Sequence, residues 1–327
     1  MIVTLTPNPS IDATLRVPHL VHGEVARATA AHREAGGKGI NVSHAIAKAG
    51  LDTVAVAPCG TPDPFELAVG ALGVNFMPVR VGGTVRTNTA VTEEDGTTTK
   101  INEAGPTLSA EEVEALTAAV VAHAADASAL VLAGSLPPGA PTDFYANVVA
   151  ALREVTDAVI AVDTSDAPLV ALGQRISDAA NAEGAGNCCP DVLKPNAFEL
   201  GQLTGADGHT LEAQAAAGDF TPVVSAARQL VSYGVSEVLV TLGGAGACLV
   251  TADGAWAATP PPITVRSTVG AGDSSLAGYI MARVQGEDPA ARLQRAVAYG
   301  SAAAALPGTG IPSPDELDLA HTSVITL

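Results

Sequence analysis

The chain has 327 residues, 47% hydrophobic and 15% charged, a globular composition that excludes intrinsic disorder. Its net charge of −18 argues against a nucleic-acid partner, whose phosphates it would repel. No run of about 18 uninterrupted apolar residues occurs, so no membrane span is indicated.

Met1–Thr6 reads as a strand rather than a charged segment followed by an apolar one. Cys59, Cys188, Cys189 and Cys248 lack C-x-x-C spacing and read as free thiols. Both features lead to an expected cytoplasmic location. Aromatics are only 3%, so the core must be built from Ala, Val, Leu and Ile, as suits a helix-covered parallel sheet.

In chain order, strand-like apolar runs fall at Val3–Leu5, Val54–Ala57, Ala129–Ala133, Ala158–Asp163, Val192–Lys194 and Val238–Leu242. Helical spacing occupies Ile40–Lys48, Ala110–Ala124, Pro141–Leu152, Ala197–Leu203 and Val223–Tyr233, then Ala271–Val284 and Ala290–Leu306. Ser109-Ala110-Glu111-Glu112 is a helix start of the capping type. Such alternation predicts an α/β fold with a mostly parallel sheet and ligands at the carboxyl ends of its strands. Glu24–Arg33 and Val85–Asn102 break the pattern, being polar and β-rich with a Glu94-Asp95-Gly96 turn. They predict a small β lid, with strands inserted at about 13–35 and 84–103 of a single domain spanning 1–327. Residues 178–190 read as a loop.

The most informative motif is Thr268-Val269-Gly270-Ala271-Gly272-Asp273, a glycine turn that opens a helix. Helix N-termini present unpaired N–H groups to anions, so a carboxylate there suits proton transfer beside a transferring phosphoryl group. Asp is also an ordinary helix cap. Gly36-Gly37-Lys38-Gly39-Ile40-Asn41 is a second glycine cluster opening a helix, either a ligand approach with Lys38 facing an anion or a plain turn. It lacks P-loop spacing. Arg86 and Lys100 lie in the expected lid, Asp12 and Ser135 in segments that follow strands. Arg suits bidentate phosphate contact, while a solvated strand face is the alternative. Asn196 and Glu199 are three apart after a strand, which fits either hydrated Mg²⁺ or a capping box. Thr241-Leu242-Gly243-Gly244-Ala245-Gly246 is a strand and glycine turn able to cradle a nucleotide.

The order of these pieces resembles the PfkB, or ribokinase-like, carbohydrate kinase family over almost the whole chain. Thr4-Leu5-Thr6-Pro7-Asn8-Pro9-Ser10-Ile11-Asp12 and Gly36–Asn41 are similar to its 1-phosphofructokinase and tagatose-6-phosphate kinase branch. The resemblance implies a three-layer α/β/α body with a β lid, often a dimer contact. It implies ATP with Mg²⁺, and a catalytic base at Asp273 with an anion hole at Gly270, Ala271 and Gly272. It places sugar-phosphate contacts at Asp12, Gly37, Lys38, Asn41, Arg86, Lys100 and Ser135. It places nucleotide contacts at Lys194, Thr241, Gly243, Gly244 and Gly246, and metal handling at Asn196 and Glu199, through water.

The reaction implied is transfer to a ketohexose phosphate, foremost the 6-hydroxyl of D-fructose 1-phosphate. Tagatose 6-phosphate, fructose 6-phosphate and an unphosphorylated sugar or nucleoside, as for other kinases of the family, are alternatives, as is a non-catalytic sugar-phosphate sensor. A dinucleotide oxidoreductase is disfavoured, because no G-x-G-x-x-G follows the first strand. The chain departs from the pattern at Asp163-Thr164-Ser165-Asp166, where a glycine is usual at the last position. It also departs in a shortened stretch after Cys59-Gly60 (60–64) and a lengthened one before Cys188 (178–190).

Overall fold

The computed structural model describes residues 1–181 and 188–327. The chain opens with β1 (Ile2–Leu5), β2 (Ser10–Arg16), β3 (Ala30–Gly36) and α1 (Lys38–Lys48). It continues through β4 (Thr53–Cys59), α2 (Pro64–Gly70), β5 (Asn75–Arg80) and the hairpin of β6 (Arg86–Thr92) and β7 (Thr98–Asn102). Then come α3 (Ala110–Ala122), β8 (Ala129–Ala133), α4 (Phe144–Arg153), β9 (Val159–Asp163) and α5 (Asp166–Asn181). After β10 (Val192–Leu193) follow α6 (Ala197–Thr204), α7 (Gly208–Ala216), α8 (Thr221–Ser232) and β11 (Glu237–Thr241). The chain closes with β12 (Ala247–Thr251), β13 (Ala255–Thr259), α9 (Ala271–Val284), α10 (Pro289–Ala304) and β14 (Ser323–Thr326).

These strands form a 10-stranded sheet in the order β14-β13-β12-β11-β10-β9-β8-β1-β4-β5. Pairing is parallel from β5 to β11 and antiparallel from β11 to β14. Side chains alternate across a strand, so each buried strand feeds two cores. Val3, Leu5, Leu130, Leu132, Ile160 and Val162 pack with α3 to α8 on one face. Ile2, Ala129, Val131 and Ala161 pack with α1, α9 and α10 on the other. The result is the expected three-layer α/β/α body, with aliphatic residues filling nearly all of both cores.

A second, four-stranded sheet has the order β3-β2-β6-β7. This is the expected lid. Its first strand starts at Ser10, three residues earlier than expected, and residues 24–29 are loop rather than strand. Asp12 therefore sits on a lid strand, not in a turn after β1. The Glu94-Asp95-Gly96 turn closes the β6–β7 hairpin, with Asp95 Oδ1 accepting from Thr97 N at 2.8 Å. The expected loop at 178–190 is corrected in part: α5 runs to Asn181, and residues 182–187 lie outside the described residues.

Candidate functional site

The glycine turns place their helices as the sequence predicts. Gly37 is the N-cap of α1 at φ 114, and a β-carbon there would stand 2.8 Å from Thr6 Cγ2. Only glycine meets both demands at once. α1 thus starts at the carboxyl end of β1 and carries Lys38 and Asn41 on its first turn. Gly270 caps α9, whose first intrahelical bond runs from Ser274 N to Gly270 O at 2.9 Å. The amides of Gly272 and Asp273 precede that bond, so they head the helix and are free to meet an anion.

The two helix starts meet. Asn41 Nδ2 donates to Asp273 Oδ2 at 2.8 Å, and Asp273 is buried. Burial raises the Asp273 pKa above the usual carboxylate range. Lys38 and the Asn41 hydrogen bond offset part of this, and the nearby Asp163 carboxylate adds to it.

Sequence reasoning missed Asp163 as a functional residue. It ends β9 at the ligand edge of the sheet and is fully buried. Lys38 Nζ donates to its Oδ1 at 2.6 Å, and Lys194 Nζ lies 3.0 Å from its Oδ2. Burial opposes its ionisation, but Lys194 and Lys38 outweigh that and hold its pKa low. Burial likewise pulls Lys38 down, while Asp163 and Asp273 together raise it above the ordinary lysine value. The available signal was an acid closing a buried strand in a chain with only four lysines, two of which, Lys38 and Lys194, fall in the motif segments. Lys194 itself is buried, and its Nζ lies 3.4 Å from where a β-carbon on Gly272 would stand. It sits beneath the Gly270–Asp273 turn rather than on the wall of the neighbouring cavity.

That cavity, about 540 Å³, opens between the glycine turn after β11 and the start of α9. Its lining includes Thr241, Gly243, Gly244, Gly246, Ala271 and Gly272. The expected nucleotide turn and anion hole therefore share one chamber, whose far wall is Pro260–Pro262, Ile263 and Val265. The apolar wall suits a base, and the helix start suits phosphate.

On the lid side, Arg86 is half-buried at the head of β6. Its guanidinium donates to Glu103 O (3.1 Å), Asn8 O (3.3 Å) and Ser135 Oγ (3.3 Å). Burial lowers its pKa, with Asp12 opposing. Asn8 was part of a recognised motif but not singled out. Its Nδ2 bonds Ala104 O (3.1 Å) and Leu136 O (3.3 Å), joining the lid exit to the loop after β8. Asp12 Oδ1 accepts from Ser10 Oγ (2.7 Å) and Asn88 Nδ2 (3.2 Å). Lys100 is on the exposed strand β7, paired with Ala90, and makes no hydrogen bond or ion pair among the described residues. By register it shares the lid face of Asp12 and Asn88, one pair further out.

Asn196 and Glu199 form the capping box of α6: Asn196 N donates to Glu199 Oε2 (2.8 Å) and Glu199 N to Asn196 Oδ1 (2.9 Å). Burial raises the Glu199 pKa, with the Asn196 amide and the two lysines opposing. Glu199 Oε1 stays outside the cap. Among the described residues no group of three or more His, Cys, Asp or Glu is arranged to hold a metal directly. One free carboxylate oxygen fits a cation that keeps its water shell, as Mg²⁺ does.

Residues 6–316 match the description "pfkB family carbohydrate kinase". The chain belongs to the pfkB family of carbohydrate kinases. It is thus a phosphotransferase acting on a sugar hydroxyl, with the ribokinase-like α/β fold. Among relatives of this pfkB kinase, a 1-phosphofructokinase of Xanthomonas campestris pv. campestris is 34% identical, covering 86% of this chain and 83% of the relative. One of Rhodobacter capsulatus is 33% identical, covering 97% and 94%. The crystal structure of phosphofructokinase-2 from Escherichia coli in complex with substrates and products superposes with a TM-score of 0.83, at 29% identity and 96% coverage of both chains. Membership of the pfkB kinases implies ATP as phosphoryl donor. No helix among the described residues is long and apolar enough to cross a membrane.

Proposed function

We propose that this pfkB kinase transfers the γ-phosphoryl group of ATP to the 6-hydroxyl of D-fructose 1-phosphate. The observation that carries this reading is the buried Asp273 carboxylate at the head of α9. On one side lies a chamber of nucleotide size, and on the other Lys38, Asn41 and the lid (2.8 Å from Asn41 to Asp273). The choice of fructose 1-phosphate leans on relatives named 1-phosphofructokinase. The neighbouring phosphofructokinase-2 makes fructose 6-phosphate the second candidate.

In the proposed mechanism Asp273 accepts the proton of the 6-hydroxyl as that oxygen bonds phosphorus. The bond from phosphorus to the bridging oxygen of ADP breaks, and its electron pair leaves with ADP. The amides of Gly272 and Asp273 donate to the phosphoryl oxygens and steady their charge. An ammonium has three donors, of which Asp163 takes one from Lys38, so Lys38 keeps donors for phosphate. Arg86, with Ser135 and Asn8 around it, meets the substrate's own phosphate, and Asp12 accepts from a sugar hydroxyl. Mg²⁺, held through water by Glu199 beside Asn196, would neutralise phosphate charge.

The same reading takes 1–327 as one kinase domain working in the cytoplasm. It also takes the lid, where Val25 of the β2–β3 loop (81% exposed) and Ile101 of β7 (61%) lie bare, as a homodimer contact. The deciding experiment is an ATP-coupled assay of fructose 1-phosphate, tagatose 6-phosphate and fructose 6-phosphate side by side. Fructose 1-phosphate is expected to give the highest kcat/KM. A higher value for either other sugar overturns the assignment.

A further inference from the structure

We propose that Asp63 is a positioning residue for the sugar-phosphate site: its buried carboxylate ties the root of the lid to the body and so sets where Arg86 stands. The proposal rests on the reading of Arg86 as the group that meets the substrate's phosphate.

Asp63 is 6% exposed and lies between β4 and α2. Its Oδ1 accepts from Phe65 N at 3.0 Å, the ordinary cap of α2. Its Oδ2 accepts from two further amides, Gly60 N at 3.2 Å and Val85 N at 2.8 Å. Gly60 follows the last residue of β4, the body strand next to the edge strand β5. Val85 is the last residue before the lid strand β6, and Arg86 is the first residue of it. One oxygen atom therefore spans body and lid, one residue from the guanidinium.

The surroundings reinforce the joint. A β-carbon on Gly60 would stand 2.5 Å from Gly83 O, and one on Gly83 2.4 Å from Pro106 Cβ. The entry to the lid and the exit from it are thus stacked against the end of β4 with no room for a side chain. Arg80 Nη1 donates to Gly60 O at 2.9 Å while pairing with Glu66, so Gly60 is held at both its amide and its carbonyl. Glu112 Oε1 takes another amide of the entry segment, Gly82 N, at 2.6 Å.

Capping α2 needs only one acceptor, which Ser could supply. The second oxygen of Asp63 does something else. It satisfies the Val85 amide where water has no access, so the start of β6 cannot shift without orphaning a buried donor. The short turn from Gly60 to Asp63 folds this carboxylate back onto the Gly60 amide.

The test uses two variants of the full chain, each made with Arg86 present and in an Arg86→Ala background. Asp63→Ser keeps the cap on Phe65 N and drops the two Oδ2 contacts. Asp63→Asn keeps the shape and removes the charge, and either variant that folds suffices. Kinetics are measured with the same three sugar phosphates. With Arg86 present, KM for the sugar phosphate is expected to rise about tenfold, while kcat and KM for ATP stay within about twofold. Without Arg86 the same substitution should move that KM by less than about twofold, because the group it acts through is gone. An unchanged KM with Arg86 present overturns the proposal. So does an equal rise in both backgrounds, or a parallel loss in kcat and both KM values. The wild-type arm separates this from the substrate assignment: a different preferred sugar phosphate corrects the substrate, and the Asp63 effect is then read on that sugar. No turnover of any of the three overturns both.

Discussion

Asn41 and Asp273 stand 232 residues apart in sequence, yet Asn41 Nδ2 donates to Asp273 Oδ2 at 2.8 Å and joins the first turns of α1 and α9. The contact decides what kind of base Asp273 is. Burial raises its pKa, and the Asn41 hydrogen bond, which favours the ionised form, pulls it back. Only the ionised form accepts a proton, so kcat/KM should fall as pH falls through that raised value. Asn41→Leu removes the donor and should move the acid limb of the pH–kcat/KM profile to higher pH. A limb that stays in place would show that Asn41 does not tune the base.

Asp273→Asn keeps size and removes basicity. It should lower kcat on the order of 10²-fold or more while KM for ATP changes little. Its effect on stability runs the other way. With a folded-state pKa above the unfolded one, the native state binds more protons between the two values. Stability is therefore lost as pH rises through that window. Above that window the charged buried group is a net cost, so Tm of the Asn variant measured there should exceed that of wild type. Near-normal kcat would remove Asp273 from catalysis, and a lower Tm would show that its charge is stabilising.

Arg86→Ala separates phosphate recognition from sugar recognition. The guanidinium is half-buried and its donors already engage Glu103 O, Asn8 O and Ser135 Oγ, so it is held in place before substrate arrives. KM for the phosphorylated sugar should rise on the order of 100-fold, the scale of losing a desolvated charge-assisted contact. KM for the unphosphorylated sugar should rise far less. Equal effects on both would mean that Arg86 does not read phosphate.

Much of this site was legible because its chemistry sits at glycine turns that open helices. Gly37, Lys38 and Asn41 form one such turn, Gly270 to Asp273 another, and the two meet in space. What stayed hidden depends on long-range partners. Asp163 closes an apolar run and looks like a strand end, and only folding brings Lys38 and Lys194 to it. Asn196 and Glu199 had two readings from spacing, and the capping box is the one the geometry realises, which leaves one carboxylate oxygen for a hydrated cation. In the fold, β2 was obscured by Asn8-Pro9-Ser10, which reads as a turn. Strand β13 is made of Ala255-Trp256-Ala257-Ala258-Thr259, rich in a helix former, and becomes a strand by pairing with β12. Helix α5 was missed because Asp163-Thr164-Ser165-Asp166-Ala167-Pro168 reads as a break.

That break has its own consequence. Asp166 begins α5 with φ 56, the left-handed region, and among the described residues no other non-glycine residue has positive φ. Asp tolerates this conformation better than most residues, but at a cost. Its side chain is exposed and makes no hydrogen bond or ion pair among the described residues, so little is lost with it. Asp166→Gly should therefore stabilise the fold by about 1 kcal/mol, and Asp166→Val should destabilise it by more than that. Chemical denaturation with unchanged m-values reads both. If Gly is no more stable than Asp, the strain at this turn is relieved by the helix it starts.

The Asp163 network makes the opposite kind of prediction, since there a carboxylate is worth more than its own burial. Asp163 is fully buried between Lys38 and Lys194, with Nζ atoms at 2.6 and 3.0 Å. Taking one partner from such a group leaves buried charge uncompensated, which costs about 3 kcal/mol or more. Asp163→Asn should therefore destabilise the fold on that scale. Adding Lys194→Met should restore part of the loss, because Lys194 is the deeper of the two cations, 5% exposed at its side chain against 32% for Lys38. Lys38→Met in the same background should restore less, since Lys38 can turn its ammonium toward water. If the two rescues are equal, burial depth does not govern the network. If neither rescues, the loss in Asp163→Asn comes from packing at the end of β9 rather than from unpaired charge.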